Sequence, residues 1–198
     1  MKILRIIQNI LLGISLALLA LLPLWSAFGD SNNSLQGALY TISFTSVTLV
    51  MLVRPLADIF INQKWLCKLV FLRKGFGVLS ASIIVGFMIG KIISPDSNYI
   101  ASIFTREYWS LENYSLFAHL GDITGFILLV TSNNLSMMLL KKNWKRIQKL
   151  AYIYFYTGGI YEAFALDSSF AFVSMVIVLV VSASAFIVKM LRNDRAGI

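Results

Sequence analysis

This sequence predicts an all-α membrane protein: a single transmembrane domain, residues 1–198, of six crossing helices with both chain ends on the same side. Three observations carry that expectation. The chain is 58% hydrophobic and only 13% charged, outside the range of soluble globular domains, and its mean hydropathy is +0.78. Apolar runs of about 20 residues recur along it, each long enough to cross a hydrocarbon core of roughly 30 Å. Basic residues crowd alternate connections between those runs, while acids collect in the others.

The first run, near residues 6–28, follows Lys2 and Arg5. A cleaved leader has an apolar core of about 7–15 residues. The stretch from Ile10 to Phe28 is longer, so it reads as a retained span. The second run, near 35–61, carries Arg54 and Asp58 at the i,i+4 spacing of a helical ion pair, close enough to its end for both to reach water. Lys64, Lys68, Arg73 and Lys74 fill the connection to the third run, near 75–93. Cys67 lies there too. A single cysteine excludes an internal disulfide and a cysteine-held metal or iron–sulfur centre, and it reads as an inert small residue.

The longest connection runs from Ser94 to Ser115 and contains the aromatic patch Phe104-Thr-Arg-Glu-Tyr-Trp109. Tyr and Trp favour the headgroup layer, so a short helix lying on the membrane is expected, with a partner-binding surface as the sharper alternative. The fourth run covers about 116–140 and the fifth about 144–165. Lys141, Lys142, Lys145, Arg146 and Lys149 sit at their junction. A sixth run, near 170–190, ends among Lys189, Arg192 and Arg195. Gly86-Phe-Met-Ile-Gly90 and Gly121-Asp-Ile-Thr-Gly125 have the small-xxx-small spacing that lets helices approach closely.

Cationic connections face the cytoplasm. Both termini and the basic loops are therefore expected inside, in the plasma membrane of a bacterium (its inner membrane). Only Lys91 and Arg106 belong to the other side, with Asp30, Asp96, Glu107, Glu112, Glu162 and Asp167. The net charge of +8 is then explained by anionic lipid beside the basic loops, and nucleic acid is not expected as a partner. The lipid bilayer is the first partner. The segment 94–115 and the basic cytoplasmic loops are surfaces for a protein partner.

Three stretches resemble the ferric-reductase-like transmembrane family. They are Gly37-Ala-Leu-Tyr with Leu49-Val-Met-Leu-Val-Arg-Pro-Leu56, then Leu72-Arg-Lys-Gly-Phe-Gly-Val78, then Thr131-Ser132 with Asn143-Trp-Lys-Arg-Ile-Gln-Lys-Leu-Ala-Tyr152. Within that family the likeness is nearest to the haem-bearing membrane subunit of the periplasmic methionine sulfoxide reductase system. The resemblance covers nearly the whole chain. It implies a helical bundle holding haem b between histidines, and electron transfer outward from a cytoplasmic flavin or from quinol.

The positions at which the family places its histidines carry Phe87, Gln148 and Tyr161. At about 1.5 Å of rise per residue, Gln148 and Tyr161 are roughly 20 Å apart along the fifth run, near opposite membrane faces. Tyrosine and methionine ligate haem iron in some proteins, so Tyr161 and Met88 are the available substitutes, but Met88 is turned about 100° from the position of Phe87. His119 is the only histidine, three residues before Asp122. It reads as an interfacial side chain, or paired with Asp122 as an outer-face proton or metal contact. One histidine and one acid make an incomplete metal site.

No catalytic triad, phosphate-binding loop or metal-ligand cluster is present in the sequence, so no enzyme activity is assigned. The leading expectation is a haem-free relative of the family, serving as scaffold, partner subunit or lipid- and quinone-contacting protein. An electron-transfer subunit is the alternative. A small-solute transporter is third, with Gln148, Thr157 and Tyr161 as its polar path.

Overall fold

The computed structural model describes residues 2–29, 33–95, 97–111 and 114–195, without the side chains of 33, 134 and 193–195. Among these residues the regular structure is entirely helical. In order come α1 (Lys2–Phe28), α2 (Asn33–Ile59), α3 (Lys64–Leu69), α4 (Arg73–Ile93), α5 (Tyr99–Ser102), α6 (Ser115–Thr131), α7 (Asn134–Leu140), α8 (Lys142–Ile147), α9 (Leu150–Ile160) and α10 (Ser169–Arg195). Short 3-10 turns join α3 to α4 (Val70–Leu72) and follow α5 (Glu107–Trp109), and α9 runs into a wider π turn, Tyr161–Ala165.

Four described stretches are long and apolar enough to cross a membrane: Lys2–Phe28, Ser34–Ile59, Lys64–Ile93 and Ser169–Arg192. The apolar helix α6 is shorter, with 17 residues. Side chains such as Ile3, Leu16, Leu21, Leu179 and Phe186 stand exposed along α1 and α10. Apolar faces of that extent are compatible with a membrane protein, in which lipid covers them.

Two expected spans are broken. The run 116–140 ends as a helix at Thr131, because the polar triplet Thr131-Ser132-Asn133 offers the backbone other partners. Thr131 and Ser132 return their hydroxyls to Ile127 and Leu128 carbonyls, while Asn133 takes an extended conformation and caps α7, its side chain accepting from the Ser136 N–H at 2.6 Å. Lys141, at φ 45°, then turns the chain into α8. The run 144–165 is broken at Gln148-Lys149, where i→i+3 backbone bonds replace the α-helical pattern. The other four runs form helices within a few residues of the expected bounds. Asp30, Asp96, Glu112 and the Arg195 side chain lie outside the described residues.

Helix α4 is the spine. It packs against α1, α2 and α6; α2 also contacts α10 and α9, and α9 lies along α6. Glycine sets the closest approaches. A methyl group added at Gly86 would stand 3.0 Å from Leu22 Cβ, and one at Gly90 would strike Ser26 and lie 3.0 Å from the Pro23 carbonyl oxygen. The first small-residue pair thus seats α4 on α1. The second seats α6 on α9: Gly121 faces Thr157 and Gly158, and Gly125 lies under the Tyr154 ring.

Two buried clusters result. One joins Leu22, Leu79, Ile83 and Phe87, from α1 and α4, with Tyr40 of α2 packed on it. The other centres on Phe44, Val47, Met51, Leu128, Phe155 and Val178, with Phe44 and Phe155 stacked at 5.4 Å between centroids. The bundle has a basic end, where α2 and α10 finish and α4 begins, and an opposite end formed around the segment after α4.

Candidate functional site

Between the two ends, two cavities among the described residues adjoin each other, with Val47 and Tyr154 lining both. The cavity toward the end opposite the basic loops has a volume of about 500 Å³. The one toward the basic end measures about 680 Å³. Tyr154, in the wall they share, belongs to a chain of buried hydroxyls. The Tyr154 hydroxyl is 2.9 Å from Ser80 Oγ, which is 3.0 Å from Ser43 Oγ, and Ser43 also donates to the Ser80 carbonyl at 3.2 Å. All three side chains are buried, so each hydroxyl finds its partner inside the protein.

The smaller cavity gathers Tyr40, Phe44, His119, Asp122, Tyr161 and Glu162 from three helical elements, with Lys91 of α4 at its wall. Part of that convergence comes from the π turn, which places Tyr161 and Glu162 on successive positions past the end of α9; π turns inside helices often accompany functional sites. The loop residues close over it. Tyr108 stacks face to face on His119, with centroids 3.3 Å apart and planes 8° from parallel. Tyr108 donates to the Tyr99 hydroxyl at 2.9 Å. Burial above all, with the nearby Asp122 carboxylate, holds the Tyr99 phenol far above its ordinary pKa.

His119 Nδ1 is buried without a hydrogen-bond partner, and its distance to Asp122 Oδ2 is 4.0 Å, beyond bonding range. A buried ring nitrogen left without a partner calls for one. The arrangement offers a ligand aromatic walls, an imidazole nitrogen without a hydrogen-bond partner and two carboxyl groups in its lining.

The larger cavity has a different chemistry. Arg54, Arg73, Lys74 and Lys145 line it, together with Asn133, Trp144 and Gln148, and no carboxylate is among its lining residues. Asp58 is engaged by Arg54, both carboxylate oxygens lying 3.3 Å from Nε, at the helical spacing expected for the pair.

The three positions taken from the resemblance are separated. Gln148 lines the larger cavity and donates to Thr131 Oγ1 at 3.5 Å, whereas Tyr161 lines the smaller one. Phe87 lines neither. It is buried against α1 and α2, stacked on Tyr40 at 5.0 Å and edge-on to Trp25 at 6.2 Å. On α4 it is Ile84, one turn earlier, that faces the smaller cavity. Thr157 gives its hydroxyl to the Ile153 carbonyl of its own helix at 2.7 Å and contributes to neither cavity lining. No group of three or more potential metal ligands forms among the described residues.

These residues do not fit a haem held between two histidines. The larger cavity is lined by no imidazole or thiolate, and the one imidazole at the smaller cavity has a ring face covered by Tyr108. Sequence reading alone overlooks Tyr40, Ser43, Ser80, Lys91 and Tyr154, which line or divide the cavities. Nothing local in the sequence marks Ser43 and Ser80. Only the distance of 37 residues being closed by α2 against α4 makes them a pair. No protein-family model matches the chain, and neither does any curated protein or solved structure.

Proposed function

We propose that this chain is a six-span protein of the bacterial inner membrane, with both termini cytoplasmic, acting as a haem-free relative of the ferric-reductase-like family that holds a lipid-soluble ring compound of the quinone class. The four long apolar helices supply four crossings. The apolar α6 and the α9 segment with its π turn, packed on each other among them, supply the remaining two. The cationic cavity and loops at one end agree with a cytoplasmic orientation of that end.

The observation that carries the ligand reading is the partnerless His119 Nδ1 beside Asp122, in a cavity of about 500 Å³ walled by Tyr40, Phe44 and Tyr154. Ligand sites are concave and mostly apolar, with a few convergent polar groups that fix orientation. A quinone ring would lie among the aromatic walls with an oxygen directed to these groups, and its tail would leave between helices into lipid. Two partly buried carboxyls, Asp122 and Glu162, facing one cavity favour function over packing as their purpose.

Solute passage is the second reading, favoured by two adjoining cavities. The Tyr154–Ser80–Ser43 chain interrupts the path between them, so passage would require that partition to open. Electron transfer through family-type haem has the least support, given the donor set.

The test is the visible spectrum of detergent-purified protein, oxidised and dithionite-reduced, from cells supplied with haem precursor, followed by thermal unfolding with a short-chain quinone. The expected results are a featureless spectrum and a raised midpoint that the Asp122→Asn variant loses. A stoichiometric Soret band that shifts on reduction, or no response to quinone in well-folded protein, overturns the proposal.

A further inference from the structure

The segment between α4 and α6, residues 97–111, is two-faced. Tyr99 and Tyr108 turn toward the bundle: their ring centroids lie 6.4 and 3.3 Å from that of His119, and their hydroxyls meet at 2.9 Å. Other side chains of the same segment turn away. Ile100 is 57% exposed, Leu111 66% and Phe104 86%, the highest of any large apolar side chain among the described residues.

The depth of the segment is set by what holds it. His119 lies about 6 Å along α6 from Ser115, at 1.5 Å of rise per residue. The Tyr108 stack therefore lays the segment back along the bundle instead of letting it stand away from it. The Ser110 carbonyl accepts from the Leu116 N–H at 3.1 Å and from Ser115 Oγ at 3.0 Å, which ties the far end to the first turn of α6. Trp109 Nε1 donates to the Ile103 carbonyl at 2.8 Å and sets the residue before Phe104 beside the indole. On the near side α4 ends in Ile92 and Ile93, both exposed, so the apolar surface assigned to lipid runs on into the segment. Charge is slight. Residues 97–111 carry one cation, Arg106, and one acid, Glu107, beside Tyr99, Tyr108 and Trp109, the chemistry of the headgroup layer and not of an ionic docking surface.

We infer that residues 97–111 form an interfacial anchor, docked in the leaflet at the end opposite the basic loops, with Ile100, Phe104 and Leu111 at the boundary of headgroups and acyl chains. The apolar face of such a segment sinks about 5–10 Å into that boundary. Its inner face covers His119, which lines the smaller cavity. The anchor thus holds the roof of that cavity at the level of the lipid. The inference rests on the membrane reading above but not on the quinone ligand or on the absence of haem, so either of those can fail without it.

The test reconstitutes the full chain in phosphatidylcholine nanodiscs. The unaltered protein is photolysed with a phosphatidylcholine bearing a diazirine near the top of its acyl chain, and adducts are mapped by mass spectrometry. Adducts are expected on α10 and within residues 99–111, at equal yield in low and high salt. Then Phe104→Cys and Glu107→Cys, each with Cys67→Ser, are labelled with an environment-sensitive fluorophore. The label at 104 should be quenched more by lipid-borne nitroxide than by iodide, by roughly twofold or more, and the label at 107 the reverse. The adduct map needs no variant, so it decides the matter if a labelled protein fails to fold. Adducts on α10 with none in 99–111 overturn the anchor and leave the membrane reading standing, as does iodide reaching 104 as readily as 107. No adduct on either overturns both. A label at 104 shielded from both quenchers marks a protein contact there and overturns lipid as the occupant.

Discussion

The hydroxyls of Tyr154 and Ser80 lie 2.9 Å apart across 74 residues of sequence, and this contact between α9 and α4 divides the space inside the bundle. Tyr154 is the larger part of the partition because its ring faces both cavities and also roofs Gly125. Tyr154→Phe keeps the ring and removes the hydroxyl, leaving Ser80 with Ser43. A loss of about 1 kcal/mol is expected from a single buried hydrogen bond with one partner retained. Tyr154→Ala also removes the wall and should cost about 3–5 kcal/mol. Thermal unfolding in detergent measures both, and equal losses would show that the ring contributes nothing.

The α1–α4 contact should tolerate no side chain at Gly90. A Cβ there strikes Ser26 and crowds the Pro23 backbone, which cannot yield as a side-chain tip can. Gly90→Ala is therefore expected to destabilise, whereas Gly158→Ala, with nothing within 4 Å of the added atom, should be neutral or slightly stabilising. Unfolding midpoints of the two single variants in the same detergent decide it. A Gly158→Ala loss as large as that of Gly90→Ala would refute the packing assignment.

Arg192 of α10 donates to the Asp58 and Ile59 carbonyls, at 2.9 and 3.0 Å, across 134 and 133 residues. It closes the end of α2 with a cation, where exposed carbonyls and the helix dipole favour one. The site is exposed, so Arg192→Ala should cost only about 0.5–1 kcal/mol. Arg192→Lys should recover half or less, because an ammonium cannot reproduce the two-pronged contact. Full recovery by lysine in thermal unfolding would show that charge alone accounts for the effect.

Rebuilding a haem site should depend on which residue of α4 receives the imidazole. Ile84 faces the same cavity as Tyr161, whereas Phe87 is turned into the α1–α2 contact. The Ile84→His/Tyr161→His variant is expected to gain more haem per protein than Phe87→His/Tyr161→His, read as Soret absorbance after purification. The opposite order would place Phe87 on the cavity side of α4.

The Tyr108 ring should be needed to cover His119. Tyr108→Phe loses the bond to Tyr99 but retains the stack, and Tyr108→Ala loses both. Modification of His119 by diethylpyrocarbonate, read by mass spectrometry, is expected to be slow in the parent and in Tyr108→Phe and several-fold faster in Tyr108→Ala. Equal rates in all three would remove the stack as the cover.

The sequence by itself determined the helices, because a 20-residue apolar run has no other way to satisfy its backbone in lipid. It also marked the close approaches at Gly86, Gly90, Gly121 and Gly125, where spacing places small residues on one face, and the Arg54–Asp58 pair, where both partners share one turn. Local chemistry suffices for those. It did not reveal the breaks at Asn133 and Gln148: apolar residues resume after Asn133, Gln148 lies among the basic residues that open the next run, and hydrogen bonds to the preceding turn decide both. Nor did it reveal the cavities. Their linings come from helices far apart in sequence, and the rotation of each helix about its axis is set by packing: Phe87 turns toward Tyr40 and Trp25 while Ile84 turns to Tyr161. Only the tertiary structure decides that, because one residue's step around a helix is about 100° and a single packing choice exchanges which side chain faces the ligand space.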